Sequence, residues 1–124
     1  MVVQYEVRQV EPDITVGTLT GQLNLGNRAM DVEHDIKQRI QNGSRKFVLD
    51  LSNLTYIDSA GLGLVATCAG VMEKSGGRLV VVGAKGKISQ MFAMTRLDRV
   101  ISLYPNFDSA SAALAAPAAA AAET

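Results

Sequence analysis

The sequence predicts an α/β fold, one domain with a mixed sheet of about four to five strands and about four helices. Three observations predict it. Residues 47–51 and 79–82 are nearly continuous apolar runs, broken only by Asp50, and have the character of central strands buried on both faces. A helix-length stretch lies between them, so strand, helix and strand form a right-handed parallel unit. At the start of the chain Val3, Tyr5 and Val7 alternate with Gln4, Glu6 and Arg8, the pattern of a half-buried strand.

The elements follow in chain order. Glu11, Pro12 and Asp13 make a turn. Residues 14–20 are rich in β-branched side chains and read as a second strand, with a bulge expected around Gly17, where alternation falters. Asn27 is placed to cap a first helix over residues 28–41. Its Ala29, Val32, Ile36 and Ile40 form one apolar stripe, and Asp31, Glu33, Asp35, Lys37 and Arg39 a solvated charged face. Asn42 and Gly43 stop it, the glycine able to take a left-handed cap. After the apolar run at 47–51, a polar turn is expected to re-enter the core at Tyr56 and Ile57. A second helix spans about residues 60–74, and Gly76 and Gly77 close the crossover. A third covers residues 85–95 with Ile88, Met91 and Phe92 inward. Residues 97–104 lead from a turn into a short edge strand, which Pro105 and Asn106 break. Asp108 or Ser109 can cap a last helix through Leu114. Residues 116–124 are nearly all alanine apart from Pro117, so a domain over residues 1–115 with a flexible tail is expected.

Composition narrows the function. Lys plus Arg and Asp plus Glu are both 12, giving a net charge of +0, and no basic run exceeds Arg45 and Lys46. Phosphate binding needs a basic surplus or a dense basic stripe, so nucleic acid is not expected as a partner. A membrane partner is not expected either: no window approaches the roughly 20 apolar residues of a span. The first ten residues also lack the apolar core of a secretory signal. A single cysteine, Cys68, cannot form an intrachain disulfide, which points to a reduced, cytoplasmic protein.

The chain is organised around residues 50–63. The strand at 47–51 feeds a polar turn, and Asp58 and Ser59 then stand where a helix starts. Either type can cap, because a short side-chain oxygen accepts from free N–H groups of the first turn. A hydroxyl there lies near solvent at the carboxyl edge of the sheet, where open α/β sheets place function. A phosphoryl group on Ser59 would add about −1.5 to −2 charge at a helix N-terminus. The helix dipole favours that by roughly 0.3–1 kcal/mol, so the fold should survive. The neighbouring Asp58 and a docked partner would not accept it equally. Gly61 and Gly63 each weaken the helix by about 1 kcal/mol and so point to close backbone approach, either of a partner or of the underlying sheet.

The same helix carries two apolar stripes. Leu62, Val65, Ala66, Ala69 and Met72 face the sheet. At about 100° per residue, Leu64, Cys68 and Val71 fall roughly opposite. Two readings stand for this second stripe: another element covers it, or it is open beside Ser59 and meets a partner.

Catalysis finds little support. The one histidine, His34, falls on the charged side of the first helix, and Ser59 is not in a G-x-S-x-G elbow. One histidine and one cysteine exclude a His/Cys metal set. Asp50 and Asp58 could together hold Mg²⁺, but turn and cap roles account for them. Residues 83–87, Gly-Ala-Lys-Gly-Lys, lack phosphate-loop spacing and read as a turn with a helix start. Cys68 reads as an ordinary buried or half-buried thiol. No cofactor and no metal are expected.

The segment Asp58-Ser59-Ala60-Gly61-Leu62-Gly63 resembles the signature of the STAS family, the anti-sigma factor antagonists and their relatives. The resemblance runs from about residue 3 to about residue 114 and takes in Gly21-Gln22-Leu23-Asn24, and Phe92 through Thr95-Arg96-Leu97-Asp98. It implies a single STAS-like domain with no catalysis of its own. It implies that Ser59 is phosphorylated by a partner that is both anti-sigma factor and serine/threonine protein kinase. The unmodified protein sequesters that partner and frees a sigma factor; phosphorylation ends the complex, and a serine phosphatase restores it. With the second stripe read as open, the partner surface expected comprises Asp58, Ser59, Ala60, Gly61, Gly63, Leu64 and Cys68, with Gln22 and Asn24 alongside. Where the family carries an acidic Gly-Glu-Leu-Asp segment this chain has Gln22 and Asn24, so two negative charges are absent from a loop expected near Ser59. The competing expectation is a STAS module serving as a constitutive subunit of a stressosome-like or transporter-associated complex. A small-ligand or nucleotide sensor would use the same sheet edge.

Overall fold

The computed structural model describes residues 3–24 and 27–115, and of residues 27 and 28 the backbone only. The chain runs β1 (Gln4–Val10), β2 (Ile14–Leu23), α1 (Asn27–Gln41), β3 (Lys46–Ile57), α2 (Ser59–Lys74), β4 (Arg78–Val82), α3 (Gly86–Met94), a 3₁₀ turn at Leu97–Arg99, β5 (Leu103–Tyr104) and α4 (Phe107–Ala115). The strands form one mixed sheet in the order β1-β2-β3-β4-β5, with β1 antiparallel to β2 and every later pair parallel.

That order decides where the helices go. Three successive crossovers step the same way across the sheet, and each is right-handed, so α1, α2 and α3 share one face. Their apolar stripes meet Leu19, Leu23, Phe47, Leu49, Leu51, Leu79 and Val81 in a large core. The other face carries Val16, Val48, Val80 and Val82, and α4 covers it with Ala110 and Leu114. Residues 47–49 are wholly buried because β3 lies between these two layers, as the apolar run implied. The stripe Ala29, Val32, Ile36 and Ile40 is buried as expected. On the outer side of α1, Glu33 pairs with Lys37 at 2.6 Å and Asp35 with Arg39 at 2.7 Å. Asp35 is not only solvated: the Tyr5 hydroxyl donates to it at 2.7 Å, fastening β1 to α1.

Several expectations are corrected. The polar turn after Leu51 is strand: β3 runs unbroken to Ile57 beside β2. The pairing passes from Thr18↔Asp50 to Thr20↔Asn53, and from Gly21↔Leu54 to Gln22↔Tyr56. Each step gives β3 one residue more than β2, so the irregularity sits in β3 and not at Gly17. An extra residue reverses which face the next side chain takes. Leu51, Leu54 and Ile57, three apart, therefore all point into the same core. Tyr56 does not re-enter the core; it is 50% exposed. The last helix is capped by Asn106, whose Oδ1 accepts the Ser109 N–H at 2.9 Å, not by Asp108 or Ser109. The Asn27 side chain and residues 116–124, the expected cap and tail, lie outside the described residues.

Candidate functional site

The site is built at the carboxyl ends of β2 and β3. Ile57 ends β3 inside the core, and Asp58 follows in an extended conformation, φ −103° and ψ −177°, as the cap of α2. Its carboxylate accepts the Gly61 N–H at 2.8 Å, and its carbonyl accepts the Leu62 N–H at 2.9 Å. Its own N–H donates to the Leu23 carbonyl at the end of β2, 3.2 Å away. Ser59 is the first residue of α2 and is exposed, as is Ala60. Gln22 of β2 pairs with Tyr56 of β3, and Asn24 follows β2 directly; Gln22 and Asn24 are half-buried and flank the Leu23 carbonyl that holds Asp58. The structure thus brings together Asp58, Ser59, Ala60, Gln22 and Asn24.

The two glycines of the helix start have different reasons. A Cβ at Gly61 would lie 2.6 Å from the Leu23 carbonyl oxygen and 2.8 Å from Cγ1 of Ile57, so only glycine fits against the sheet. Gly61 is buried, and its partner-binding assignment is corrected: it serves internal packing. Gly63 is exposed, and a Cβ there would meet no atom of the described residues within 4 Å. Among the described residues, nothing in the packing requires glycine at that position.

Leu64 and Cys68 are also corrected. They are 6% and 0% exposed and belong to the core that α2 shares with α1, so the covering element of the second stripe is α1. Val71 is half-buried against the same core. The exposed line of α2 instead runs through Ser59, Gly63 and Thr67 at helical spacing of four. Burial, with Glu33 of α1 adding to it, pushes the Cys68 thiol up to about 12, and Lys37 partly opposes the shift. The thiol therefore stays protonated in the folded chain while the unfolded chain ionises near pH 9, so this contribution to stability is full below about pH 9 and lost as pH rises toward about 12. We expect the melting temperature to fall from pH 9 upward, and to fall less steeply in Cys68→Ala, although that variant starts lower. Calorimetric melts across pH 8–11 check this; parallel slopes for the two proteins would contradict it.

The remaining candidates serve the local backbone, Asp50 from within β3 and not from the turn expected there. Asp50 accepts the Ser52 N–H at 2.9 Å and the Ser52 hydroxyl as well. Among the described residues no cluster of three or more His, Cys, Asp or Glu is placed to hold a metal ion. His34 is exposed on α1. Gly83 and Gly86 take positive φ where β4 turns into α3, the plain helix start expected there. Sequence reasoning missed the notch beside the site, lined by Thr55, Tyr56, Ile57, Lys87, Ile88 and Met91. The three-residue spacing of Leu51, Leu54 and Ile57 was its signal, since it leaves Tyr56 outward.

An α/β domain with an exposed serine at a capped helix start, at the carboxyl edge of a mostly parallel sheet, is the class of protein that this geometry defines. Residues 5–110 match the STAS domain family. The chain belongs to that family, among its anti-sigma factor antagonists. It is 33% identical over 101 residues to BtrV of Bordetella bronchiseptica, named as an anti-sigma factor antagonist, covering 82% of this chain and 84% of that one. An anti-sigma factor antagonist from Mycobacterium paratuberculosis superposes with a TM-score of 0.78 at 25% identity, over 91% of this chain and 94% of that one. The fold is also that of the Bacillus cell fate determinant SpoIIAA in its phosphorylated form, with a TM-score of 0.72 at 18% identity, over 89% of this chain and 99% of that one. No helix among the described residues is long and apolar enough to cross a membrane.

Proposed function

We propose that this chain is a non-catalytic, phosphorylation-controlled switch of the cytoplasm. Unmodified, it binds an anti-sigma factor that is also a serine kinase; phosphorylation of Ser59 releases it, and a serine phosphatase resets it. The observation that carries the reading is Ser59 itself, exposed as the first residue of a helix whose start is held by Asp58 and the Leu23 carbonyl. A kinase can reach the hydroxyl without unfolding anything, and the helix dipole accepts the added charge. The SpoIIAA structure in phosphorylated form supports the same chemistry on the same fold. The test is labelling: with the cognate kinase and ATP, wild type incorporates phosphate and Ser59→Ala does not. Equal labelling of both, or a site mapped to Ser52 or Thr55, would sink the proposal.

The partner surface we propose follows the exposed line of α2, Ser59, Ala60, Gly63 and Thr67, with Gln22 and Asn24 at its edge. Glycine at 63 then lets a partner's backbone come close. Gly63→Arg should leave folding intact, since the position is open, and weaken partner binding by at least about tenfold. Unchanged affinity in calorimetric titration would move the interface elsewhere.

A further inference from the structure

We propose that this chain pairs with a second copy of itself through β1, edge to edge and antiparallel, about a two-fold axis at Val7. The strand is one of the two edges of the sheet among the described residues and the longer, seven residues against two in β5. It pairs with β2 without a register break over all seven residues, and Pro12 lies in the turn, outside the strand. Natural edges are commonly blunted by bulges, prolines, short length or charge, particularly lysine. β1 has neither bulge nor proline nor lysine, and its two charges are of opposite sign, at Glu6 and Arg8.

Their placement is self-complementary. Glu6 and Arg8 flank Val7 and, being two apart, lie on the same face of the sheet. Arg8 is held on the α4 side, its guanidinium carbon 5.8 Å from the centre of the Phe107 ring. With the axis at Val7, Glu6 of each copy stands opposite Arg8 of the other, and Tyr5 stands opposite Gln9. Moving the axis to Glu6 or to Arg8 sets like charges directly against each other, which is unfavourable. Among registers that keep both sets of helices on matching faces, charge thus selects the one at Val7. The paired sheet would have the parallel strands of the two copies running in opposite directions, so the two Ser59 edges face away from each other and each copy can hold its own partner.

Sedimentation equilibrium on the full chain tests this. Wild type is expected to dimerise. Glu6→Arg and Arg8→Glu should each raise the dissociation constant at least about tenfold, and the double swap Glu6→Arg with Arg8→Glu should return it close to wild type. Thermal melts confirm that each variant is folded. In the Val7→Cys protein the two introduced thiols sit on the axis, within the roughly 4.4–6.8 Å Cα separation of a disulfide, so mild oxidation should give a covalent dimer. Gln4→Cys, opposite Val10, should not, and the buried Cys68 stays out of reach. A wild type monomeric up to about 1 mM, single variants that dimerise unchanged, a double swap no better than the single ones, or Val7→Cys failing to cross-link would each overturn the proposal.

Discussion

Leu64→Lys is expected to unfold the domain. The side chain is 6% exposed in the core shared by α1 and α2. Removing a buried leucine costs about 2–5 kcal/mol through lost burial and the cavity left behind. An ammonium group put in its place must give up water with no carboxylate provided for it, adding several kcal/mol more. Together these approach the whole stability of a domain this size, about 5–15 kcal/mol. The conservative Leu64→Met should cost less than about 1.5 kcal/mol and stay folded. Circular dichroism and urea melts decide. A cooperative transition near the wild-type midpoint for Leu64→Lys would mean that α1 and α2 part easily and that the second stripe can be opened to a partner. The neighbouring Gly63→Arg is the internal contrast: one residue away and about 100° around the helix, it faces solvent.

Ser59→Asp is expected to leave folding unchanged and to weaken binding to the anti-sigma factor by about two orders of magnitude, equivalent to roughly 3 kcal/mol. The reason is positional. At the first residue of α2 a carboxylate is favoured by the helix by about 0.3–1 kcal/mol, so the melting temperature should hold or rise slightly. On the partner side the same charge stands next to Asp58 and must be buried or pushed out when the surfaces meet. Ser59→Ala removes only the acceptor oxygen; it should bind like wild type and no longer respond to ATP. Titration calorimetry with the partner measures all three proteins. A folded Ser59→Asp that binds as tightly as wild type would leave the constitutive-subunit alternative in front.

Much of the fold is legible in the sequence. The two apolar runs announced β3 and β4 because a strand covered on both faces has no polar side to display. The stripe on α1 and the cap at Asp58 were legible because both are local: helical spacing and one side-chain oxygen fix them. Apart from the cap of α4, where Asn106 and not Asp108 or Ser109 supplies the oxygen, the failures are non-local. Leu64 and Cys68 form a helical stripe that is equally compatible with a partner and with α1, and only the common handedness of the crossovers puts α1 there. Polar residues 52, 53 and 55 within β3 mimic a turn because two extra residues turn a period of two into a period of three. Gly61 and Gly63 are the same residue type two apart, yet one is required by the Leu23 carbonyl and the other by nothing among the described residues.

The Leu23 carbonyl has a consequence for how a signal at Ser59 would be read. It receives the Asp58 N–H from one side and leaves no space for even a methyl group at Gly61 on the other. The helix start is in effect riveted to the neighbouring strand, with no slack for it to tilt or slide. A phosphoryl group arriving one residue away therefore acts as a stamp on the surface and not as a lever on the fold. Its message would be carried entirely by what it touches in the partner, and amide resonances of the phosphorylated chain should move around residues 57–63 and stay in place across β4 and α4.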